Sequence, residues 1–332
     1  MHRIREEIQK AGFWFWFWIL SFLWVMTLYL WQPDFAFALT VYSPWVPAFI
    51  GLFGACVTSL KRRLRAVAAI ALIWASWGAV ASEEFHSLIR STPGEADFRS
   101  FRFEGNRVRV VSLNCAGGMI EAANEVKVWQ PDIVLLQESP GKVELEGLRK
   151  ELFGKEGFLV AGPDASILSR YQLVSWHKGK REPMNYVGAA LKFKGNQTWS
   201  IVSLRLQPPV LRFDYWNPAC WSDYAEGKRK RARELQDLMN EVATFDDDWP
   251  MIVGGDFNAP PDRSIRVLME PRVFDSARIA GKGWGMTAVS PLPLVRIDQI
   301  WMDPRLTPLR TISVHNSRSD HRMVVSDFLV PR

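Results

Sequence analysis

Cysteine is scarce in this chain, and no pair of cysteines has the short spacing of a structural zinc site. There are three Cys among 332 residues. Cys115 and Cys220 lie outside the apolar N-terminal region, but two Cys so far apart do not establish a disulfide, even in an oxidising compartment. The chain also lacks an internal repeat, and its one low-complexity tract is an aromatic run near the N-terminus. We therefore expect free thiols and a fold without Cys-bound metal.

Charged residues are missing from a long stretch near the N-terminus. There is none between Phe13 and Trp31, and a membrane span needs about 20 apolar residues. Half of the 16 Trp precede residue 80, which marks a change of composition there. We expect residues 1–82 to form a membrane region with three transmembrane helices, at about 13–31, 37–60 and 66–82.

Two other interpretations of these apolar stretches stay open. Each stretch is also long enough for a helix buried in a protein core. The first has a basic start and is followed by Ala36-Phe37-Ala38, a small-x-small pattern typical of signal-peptide cleavage. The apolar part of a signal peptide usually has about 7–15 residues, and this one is longer. An uncleaved anchor is therefore favoured.

Basic residues predict the orientation of the spans, because Lys and Arg accumulate on the cytoplasmic side. The link between the first two spans, around Gln32–Asp34, has none. The N-terminal flank and the link between the second and third spans are basic, and these residues are Arg3, Arg5, Lys10, Lys61, Arg62, Arg63 and Arg65. We expect an integral, multi-pass membrane protein in which everything after residue 82 lies outside the cytoplasm.

The sequence changes character after the apolar region. Residues 83–104 are polar, include Pro93-Gly94 and are typical of a linker. Residues 105–332 alternate strand-like and helix-like segments, which predicts one α/β domain. Within it, Asp132–Gln137 is a continuous apolar run typical of a strand buried on both faces, and Lys228–Ala243 has the spacing of an amphipathic helix.

Short polar motifs lie at the ends of five strand-like runs. A sheet gathers distant strand ends at one edge, so these side chains can converge on one pocket. Carboxylates and amides suit a hard cation such as Mg²⁺, and an Asp–His pair beside them suits proton transfer at a phosphate. Taken singly, Asn and Asp after a strand are also common turn residues. The motifs are VVSLNCAGG with Asn114, PDIVLLQES with Glu138, VGGDFNAP with Asp256 and Asn258, VRIDQIWM with Asp298, and SRSDHRMVV with Asp320 and His321.

In this order, and with ASILSR at 165–170 as a sixth, the motifs resemble those of the endonuclease/exonuclease/phosphatase superfamily. That group contains deoxyribonuclease I, exonuclease III, neutral sphingomyelinases and inositol-polyphosphate 5-phosphatases. The resemblance covers roughly residues 105–330. It implies a four-layer α/β sandwich, with two packed mixed sheets flanked by helices, and a hydrolase of phosphoric ester bonds that depends on Mg²⁺ or Mn²⁺.

The resemblance implies a metal-binding set within these motifs. It assigns Glu138 as the principal metal ligand and Asn114 as a residue that assists at the metal or the phosphate. Asp320 matches a second acid on the metal side. Each of these positions carries an oxygen that a hard cation accepts.

The resemblance also implies a catalytic set. Asp256 matches the acid that orients or deprotonates the attacking water, and Asn258 matches the residue that holds the scissile phosphate. Asp298 matches the acid that orients the catalytic His321. Both a general base and a cationic clamp on the transition state stay open as the role of His321.

One position departs from the family pattern. Where the family usually has Asn-x-His-Leu on a middle strand, this chain has Ser203-Leu204-Arg205-Leu206. Arg205 keeps a cation there and offers a bidentate grip on phosphate, but it cannot donate a proton at neutral pH. We expect Arg205 to bind substrate, with a structural Arg at a strand end as the alternative.

The loop-like segment Gln207–Gly227 is rich in aromatic rings. Long loops of this kind are often functional. Its rings could stack on bases, grip a lipid, touch the bilayer or pack locally, and the sequence leaves these four roles open.

Together these features predict a membrane-anchored, metal-dependent phosphoesterase acting outside the cytoplasm. Its expected substrate is a phosphodiester, either nucleic acid or a phospholipid head group. Residues after 98 hold 33 Lys and Arg against 28 Asp and Glu, a mild surplus that permits an anionic substrate. Alternatives are a phosphomonoesterase acting on inositol-type phosphates and a catalytically weak phosphate-binding module. No protein partner can be inferred.

Overall fold

The structure is a computed structural model of the chain, and it describes residues 2–62, 65–91, 107–178, 186–193, 197–210, 212–242 and 248–330. The chain divides into two compact units. The first comprises Met1–His86 together with Arg212–Ala225, and the second comprises Ser87–Leu211 together with Glu226–Arg332. A segment from the middle of the sequence therefore belongs with the N-terminal helices.

The first unit is helical, and small residues let its helices approach closely. Phe22, Ala48 and Trp74 belong to one buried cluster. A Cβ added at Gly51 would lie 2.2 Å from the Trp74 ring, so this position accepts glycine alone without a shift of the helices. The helices are α1 His2–Trp31, α2 Phe37–Thr40, α3 Trp45–Arg62, α4 Arg65–Ala81 and α5 Glu83–Ile89, the last of which continues into the second unit.

Ring contacts define the directions of these helices. In α1 and α4 the ring pairs are Phe22 with Trp74, at 5.3 Å, and Tyr29 with Trp77, at 5.5 Å, so the two helices run parallel. Gly51 of α3 faces Trp74 and the earlier Ala48 faces the later Gly78, so α3 runs antiparallel to α4. The C-terminal ends of α1 and α4 and the start of α3 therefore lie at the same end of the bundle.

Among the described residues, one helix is long and apolar enough to cross a bilayer by itself, namely Gly12–Trp31 within α1. Asp34–Thr40 passes the same test only together with Trp45–Ser59, across a bend of 69°, and Arg65–Ala81 only together with Glu83–Ile89, across a bend of 70°. The prediction of three straight spans is therefore corrected to one straight helix and two bent pairs. At the first bend, Pro44 disfavours a helical conformation for the residue before it and breaks the predicted 37–60 span.

The predicted linker 83–104 begins later than the sequence indicated. Glu83 and Glu84 lie in the first turn of α5, where acidic side chains are favourable to the helix dipole. Beyond them, Ser87 Oγ donates to Gly283 O at 2.7 Å and Arg90 Nη1 donates to Gly281 O at 2.8 Å. Residues 87–90 are thus held within the second unit, and residues 92–104 lie outside the described residues.

The described residues of the second unit form two six-stranded sheets, together with the helices that flank them. The strands are β1 Arg107–Asn114, β2 Ile133–Gln137, β3 Phe158–Ala161, β4 Ala165–Ser169, β5 Gln172–Lys178, β6 Tyr186–Lys192, β7 Thr198–Arg205, β8 Met251–Asp256, β9 Phe274–Asp275, β10 Asp298–Met302, β11 Thr307–Val314 and β12 Met323–Leu329. Their orders are β11-β12-β1-β2-β4-β3 and β5-β6-β7-β8-β10-β9. The pairs β1 with β2 and β7 with β8 are parallel, and the other neighbours are antiparallel, so both sheets are mixed.

The two sheets pack face to face, with helices outside them. Val110 and Ile133 of the first sheet share a buried cluster with Ile201 and Ile252 of the second. The opposite face of the first sheet packs on α6 Ile120–Asn124 and α7 Lys142–Phe153. On the second sheet, Tyr186 of β6 donates a hydrogen bond to Glu241 of α8 Pro218–Val242. The prediction of two packed mixed sheets flanked by helices is confirmed.

Two sequence-based expectations concern the thiols and one long helix. Cys115 in the second unit and Cys220 in the first are free, as predicted. In the second unit, α6 is followed directly by a 3₁₀ turn at Glu125–Trp129. The helix predicted at Lys228 begins ten residues earlier, at Pro218. Two short helices follow β8, α9 Arg263–Met269 and α10 Ser276–Ala280.

Candidate active site

Strand direction brings the motif residues to one edge of the two sheets. Asn114, Arg205 and Asp256 are the last residues of β1, β7 and β8. Because β10 is antiparallel to β8 and β12 is antiparallel to β1, Asp298 at the start of β10 and His321 just before β12 lie at the same edge. The register also places Arg205, Asp256 and Asp298 next to one another on three neighbouring strands.

Asn114 connects the halves of the site that come from the two sheets. Its Nδ2 donates to Glu138 Oε1 at 3.2 Å and to Asp256 Oδ2 at 3.0 Å. Its Oδ1 accepts a hydrogen bond from the backbone N–H of Ala116 at 2.9 Å, which fixes the orientation of the amide. One asparagine therefore holds together two carboxylates that are separated by more than a hundred residues in the sequence.

Two of the site residues have a left-handed backbone. The φ angle is 44° at Glu138 and 49° at Asn258, a region that costs a residue with a side chain of order 1–3 kcal/mol. Glu138 follows β2 directly and Asn258 is two residues beyond the end of β8, so the chain turns sharply at the edge where the site lies. Gly117, with a φ of 77°, donates its N–H to Glu138 Oε2. Such strain is typical of positions where the surrounding structure fixes a functional side chain.

A glycine sets the distance between β7 and β8 beside Asp256. At Gly255 the φ angle is 148°, and a Cβ there would lie 1.9 Å from the carbonyl oxygen of Leu204. A side chain at this position would push the two strands apart. The second glycine of the GGD motif is therefore what allows Asp256 to lie beside Arg205.

Asn258 supports Asp256. Its backbone N–H donates to Asp256 Oδ1 at 2.8 Å, and its Nδ2 donates to Asp256 Oδ2 at 3.1 Å and to Leu206 O at 2.8 Å. Both hydrogens of the amide are thus used within the protein. The predicted contact between Asn258 and a phosphate stays a prediction, and it requires the amide to release one of these two partners.

Asp298 and His321 form a buried pair. His321 Nδ1 lies 2.9 Å from Asp298 Oδ2. The pair is held from both sides, because Thr287 Oγ1 accepts the N–H of Asp298 at 3.1 Å and Ser319 Oγ accepts the N–H of His321 at 3.0 Å. Ser319 in turn donates to the carbonyl oxygen of Asn114 at 2.8 Å. The imidazole is therefore fixed in position, with Nε2 as its free nitrogen.

The ionisation of the buried groups is strongly perturbed. Burial, followed by the neighbouring carboxylate of Asp298, raises the pKa of Asp256 to about 7. Burial disfavours the charge on His321, but Asp298 and then Asp256 outweigh it and raise the pKa of His321 to about 10. His321 is therefore an imidazolium at neutral pH, and its Nδ1–H donates a hydrogen bond to Asp298.

Arg205 lies within the acidic site. Its Nη2 donates to Glu138 Oε1 at 2.8 Å, and its Nη1 donates to Asp164 Oδ2 at 3.3 Å. Burial works against the charge of Glu138, but the hydrogen bond from Asn114 and the charge of Arg205 hold the pKa of Glu138 below its usual range. Glu138 is therefore ionised over the physiological pH range.

The donor set fits a hard divalent cation. A carboxylate oxygen of Asp256 and one of Asp298 lie within 4.8 Å of each other and of a ring nitrogen of His321. Asp298 Oδ1 is buried and has no hydrogen-bond partner, so it is an acceptor that lacks a cation or a donor. Together with Glu138, these carboxylates match the ligand chemistry of Mg²⁺ or Mn²⁺.

Asp320 differs from the other predicted metal ligands. It is exposed, whereas Asn114 and Asp256 are buried, and its backbone carbonyl accepts a hydrogen bond from Ser290 at 2.7 Å. Its charge contributes to the raised pKa of His321. A direct role for Asp320 at a metal stays a prediction.

Sequence reasoning missed three residues that hold the site together. Asp164 pairs with Arg205, Thr287 accepts the N–H of Asp298, and Ser319 connects His321 to Asn114. Ser319 is part of the SRSDH motif, from which only Asp320 and His321 were assigned. Thr287 lies in an irregular segment without any pattern that would have marked it.

Comparison with protein families agrees with this arrangement. The Endonuclease/Exonuclease/phosphatase family matches residues 111–321 of the chain. This match runs from the first strand of the sandwich to His321 and includes every motif residue described above. The chain belongs to this family, whose members are phosphoesterases.

Solved structures show the same fold. Humanized D. rerio TDP2 has a TM-score of 0.53 and 17% identity, over 68% of this chain and 99% of that one. An endonuclease/exonuclease/phosphatase from Bacteroides vulgatus has a TM-score of 0.54 and 15% identity, over 68% and 99%. A Bacteroides thetaiotaomicron mannosyl-6-phosphatase has a TM-score of 0.52 and 15% identity, over 67% and 100%. At these identities the likeness defines the fold alone. Comparison with curated proteins found no match.

Proposed function

We propose that this chain is a metal-dependent phosphoesterase that hydrolyses phosphodiester bonds. The observation that carries the proposal is the buried cluster of Asp256, Asp298 and His321, whose ligand atoms lie within 4.8 Å of one another. Burial disfavours a charged His321, but the carboxylates of Asp298 and Asp256 keep it charged. Such perturbed ionisation concentrates at active sites. The family match supports the reaction class.

A divalent cation would be held by Glu138, with Asn114 and Asp256 beside it. When bound, such a cation neutralises and polarises the phosphate. Glu138 suits this task because it is ionised and only half-buried, and Asn114 keeps it next to Asp256. Asp320 is retained in this proposal as a more distant acid on the same side.

Two side chains, Asp256 and His321, each carry out one proton transfer in the proposed reaction. Asp256, whose pKa is about 7, takes a proton from the water whose oxygen attacks phosphorus. The ester bond to the leaving oxygen breaks, and His321, with a pKa of about 10, supplies positive charge and a proton from Nε2 to that oxygen. Asp298 keeps the imidazole ring oriented. The cationic role of His321 is thus favoured over that of a general base.

A phosphomonoester is the second candidate substrate, and Arg205 is the observation that favours it. This residue brings an additional cation within hydrogen-bonding distance of Glu138. A monoester carries more negative charge than a diester, and a planar guanidinium binds it in a bidentate manner. One of the similar structures is named a mannosyl-6-phosphatase, which makes this substrate class worth testing.

The proposal includes membrane anchoring and an extracytoplasmic position. The apolar helix Gly12–Trp31 supports the anchor. The two bent helix pairs add further spans if each pair crosses the bilayer, and the basic link around residues 61–65 then orients the C-terminus outward. Nucleic acid and phospholipid head groups remain alternative substrates within this proposal.

The test is hydrolysis by the full chain in detergent micelles. We expect turnover of bis(p-nitrophenyl) phosphate with Mg²⁺ or Mn²⁺, slower turnover of p-nitrophenyl phosphate, and none in excess chelator. His321→Gln should abolish turnover, whereas His177→Gln, on strand β5, should not. Turnover of DNA, RNA, phospholipid and inositol phosphates is then compared to identify the class of the natural substrate. Hydrolysis that persists in chelator would refute metal dependence, and a preference for the monoester would favour the second candidate.

A further inference from the structure

Arg212–Ala225, named here the aromatic insert, connects β7 to the body of α8 but belongs to the first unit. It contains the aromatic residues Phe213, Tyr215, Trp216, Trp221 and Tyr224. The insert has no part in the catalytic site described above. The role of its rings is therefore to be found in the contacts of the helical first unit.

The insert is well ordered by its own hydrogen bonds. Tyr224 donates its hydroxyl to the carbonyl oxygen of Arg212 at 3.0 Å, and Trp221 Nε1 donates to the carbonyl oxygen of Tyr215 at 2.8 Å. Asn217 Oδ1 accepts the N–H of Ala219 at 3.0 Å and caps the start of α8. These contacts use Tyr215, Trp221 and Tyr224 in local packing, as one of the sequence-based alternatives supposed.

The insert lies at the C-terminal end of the apolar helix α1. Tyr29, near the end of α1, donates to the carbonyl oxygen of Tyr42 at 2.9 Å. Burial, followed by the nearby side chain of Tyr42, raises the pKa of Tyr215, and the rings of Phe37 and Tyr224 lie 6.4 Å apart. If α1 crosses a bilayer, its end marks the boundary between hydrocarbon and water, and the insert is at that boundary.

Two rings of the insert are not used in packing. Phe213 is 67% exposed and Trp216 is 85% exposed. Both side chains are therefore available for contact with a partner. Trp is also the residue enriched where a protein passes through the head-group region, because its ring is apolar and its N–H is polar.

Charge distinguishes a lipid partner from nucleic acid. Arg212 is the one basic residue in the sequence of the insert, which also has Asp214 and Asp223. Arg212 Nε donates to Asp214 at 2.9 Å and its Nη1 donates to Asp223 at 2.7 Å. Binding to a nucleic-acid backbone requires cations that neutralise phosphates, and here the single cation is already paired with two carboxylates. Exposed rings without available positive charge fit a zwitterionic lipid interface.

We propose that Phe213 and Trp216 insert into the head-group region of the bilayer that α1 crosses. The partner is a lipid surface, bound by aromatic rings and not by charge. The inference rests on the anchoring part of the proposed function, and it adds a second membrane contact that comes from the middle of the chain. The insert is continuous with β7, which ends at Arg205, so this contact fixes a segment that is seven residues from the site along the sequence.

The test places an environment-sensitive dye on single cysteines of the full chain in phosphatidylcholine vesicles. Cys56 is replaced by Ala throughout, and Cys115 and Cys220 are buried, so the parent chain should take up no dye. The reporters are Trp216→Cys and Phe213→Cys. Val143→Cys, at a position 87% exposed at the start of α7, is the water control, and Leu20→Cys, 58% exposed in the middle of α1, is the span control.

We expect nitroxide lipids to quench the Leu20 and Trp216 labels. The Trp216 label should be quenched more by nitroxides near the head group, and the Leu20 label more by nitroxides deep in the acyl chains. Iodide in the water should quench the Val143 label strongly and the Trp216 label much less. The Phe213 label should behave as the Trp216 label does, and added NaCl should leave both unchanged.

Three results would overturn the inference, each in a different way. If the Leu20 label is quenched but the Trp216 and Phe213 labels respond to iodide as the Val143 label does, the chain is anchored and the insert is in water. If the Leu20 label is not quenched, the anchoring fails and the inference fails with it. If single-stranded DNA and not lipid protects position 216 from iodide, the insert is a base-stacking surface.

Discussion

Arg205 Nη2 lies 2.8 Å from Glu138 Oε1, the oxygen that also accepts a hydrogen bond from Asn114. Glu138 is the residue expected to hold the divalent cation. In this arrangement a guanidinium already neutralises the carboxylate, so a bound metal and Arg205 compete for the same oxygen. A metal that displaces Arg205 from Glu138 would leave Nη1 on Asp164 and make Nη2 available to a phosphate.

The first prediction concerns Arg205→Ala. Loss of the guanidinium should lower kcat/KM by roughly ten- to a thousandfold, because a charge-assisted bidentate contact contributes a few kcal/mol in a dry site. Metal affinity should rise, because the competing cation is gone. Steady-state kinetics and calorimetric titration with Mn²⁺ measure the two effects.

Arg205→Lys and Arg205→His are the matched variants for that measurement. Lysine should recover part of the lost kcat/KM, since it restores the charge without the planar fork. Histidine restores the residue type usual for the family. Unchanged kinetics and unchanged metal affinity for Arg205→Ala would make this residue structural.

The second prediction concerns Glu138→Gln. Turnover should fall by about three orders of magnitude, since the charge stabilisation that a metal provides amounts to several kcal/mol and a tenfold change is about 1.4 kcal/mol. Mn²⁺ binding by calorimetry should weaken in parallel. Glu151→Gln, an exposed carboxylate that pairs with Lys127 at the end of α7, is the control and should have no effect. Normal metal affinity in Glu138→Gln would contradict the assignment.

The third prediction is that Asp298 and His321 act as one unit. Asp298→Ala, His321→Ala and the double variant should lose similar amounts of kcat, because groups that perform one function together are non-additive. Their 2.9 Å contact is the physical basis of this expectation. Single-turnover rates of the three variants are the measurement. Losses that multiply in the double variant would mean that the two residues act independently.

The fourth prediction uses pH and stability. The pKa of His321 is raised from 6.5 to about 10 in the folded chain, so its protonation stabilises the fold fully below about pH 6.5 and this contribution is lost as the pH rises through about 10. Its upper limit is about 5 kcal/mol. The measurement is the Tm of the wild type and of Asp298→Asn in chelator, as a function of pH.

The difference in Tm between the two proteins should be largest near and below neutral pH, at several degrees or more, and should shrink above about pH 10. Comparing the variant with the wild type at each pH removes effects that both share, such as the titration of surface groups. A difference that stays constant up to pH 11 would show that the pair is not charged in the folded protein.

The fifth prediction concerns topology. The basic link around residues 61–65 and the link around 32–34 without Lys or Arg place the C-terminus outside the cytoplasm if both bent helix pairs cross the membrane. A C-terminal alkaline phosphatase fusion should be active, and a green fluorescent protein fusion exported by the same route should be dark. The opposite pattern would mean that an odd number of these crossings is missing.

The motifs were visible in the sequence because each joins an apolar run to a polar end. That pattern is local, and it was sufficient to predict strands at β1 and β2 and to place Asn114, Glu138 and Asp256 at strand ends. The two packed mixed sheets were implied by the resemblance to the family. The edge strands were not predicted. Strand β11, for example, has mostly half-buried residues, so its sequence lacks a clear alternation of apolar and polar side chains.

Apolar length and the absence of charge were sufficient to predict in α1 a helix able to cross a bilayer by itself, because this requirement is a property of composition. Tertiary structure decided which distant segments lie together. The aromatic insert belongs with the helical unit, where Tyr224 lies beside Phe37 and Tyr215 beside Tyr42.

In the site, the sequence alone determined which chemical groups are available: carboxylates, amides, one His and one Arg at the ends of strands. Only the tertiary structure decided how they are ionised and paired. The pKa of His321 is set by burial and by carboxylates on other strands, and the bond from Arg205 to Glu138 joins two sheets. Electrostatic interaction depends on distance through space and on the exclusion of water, and neither quantity is a function of spacing along the chain.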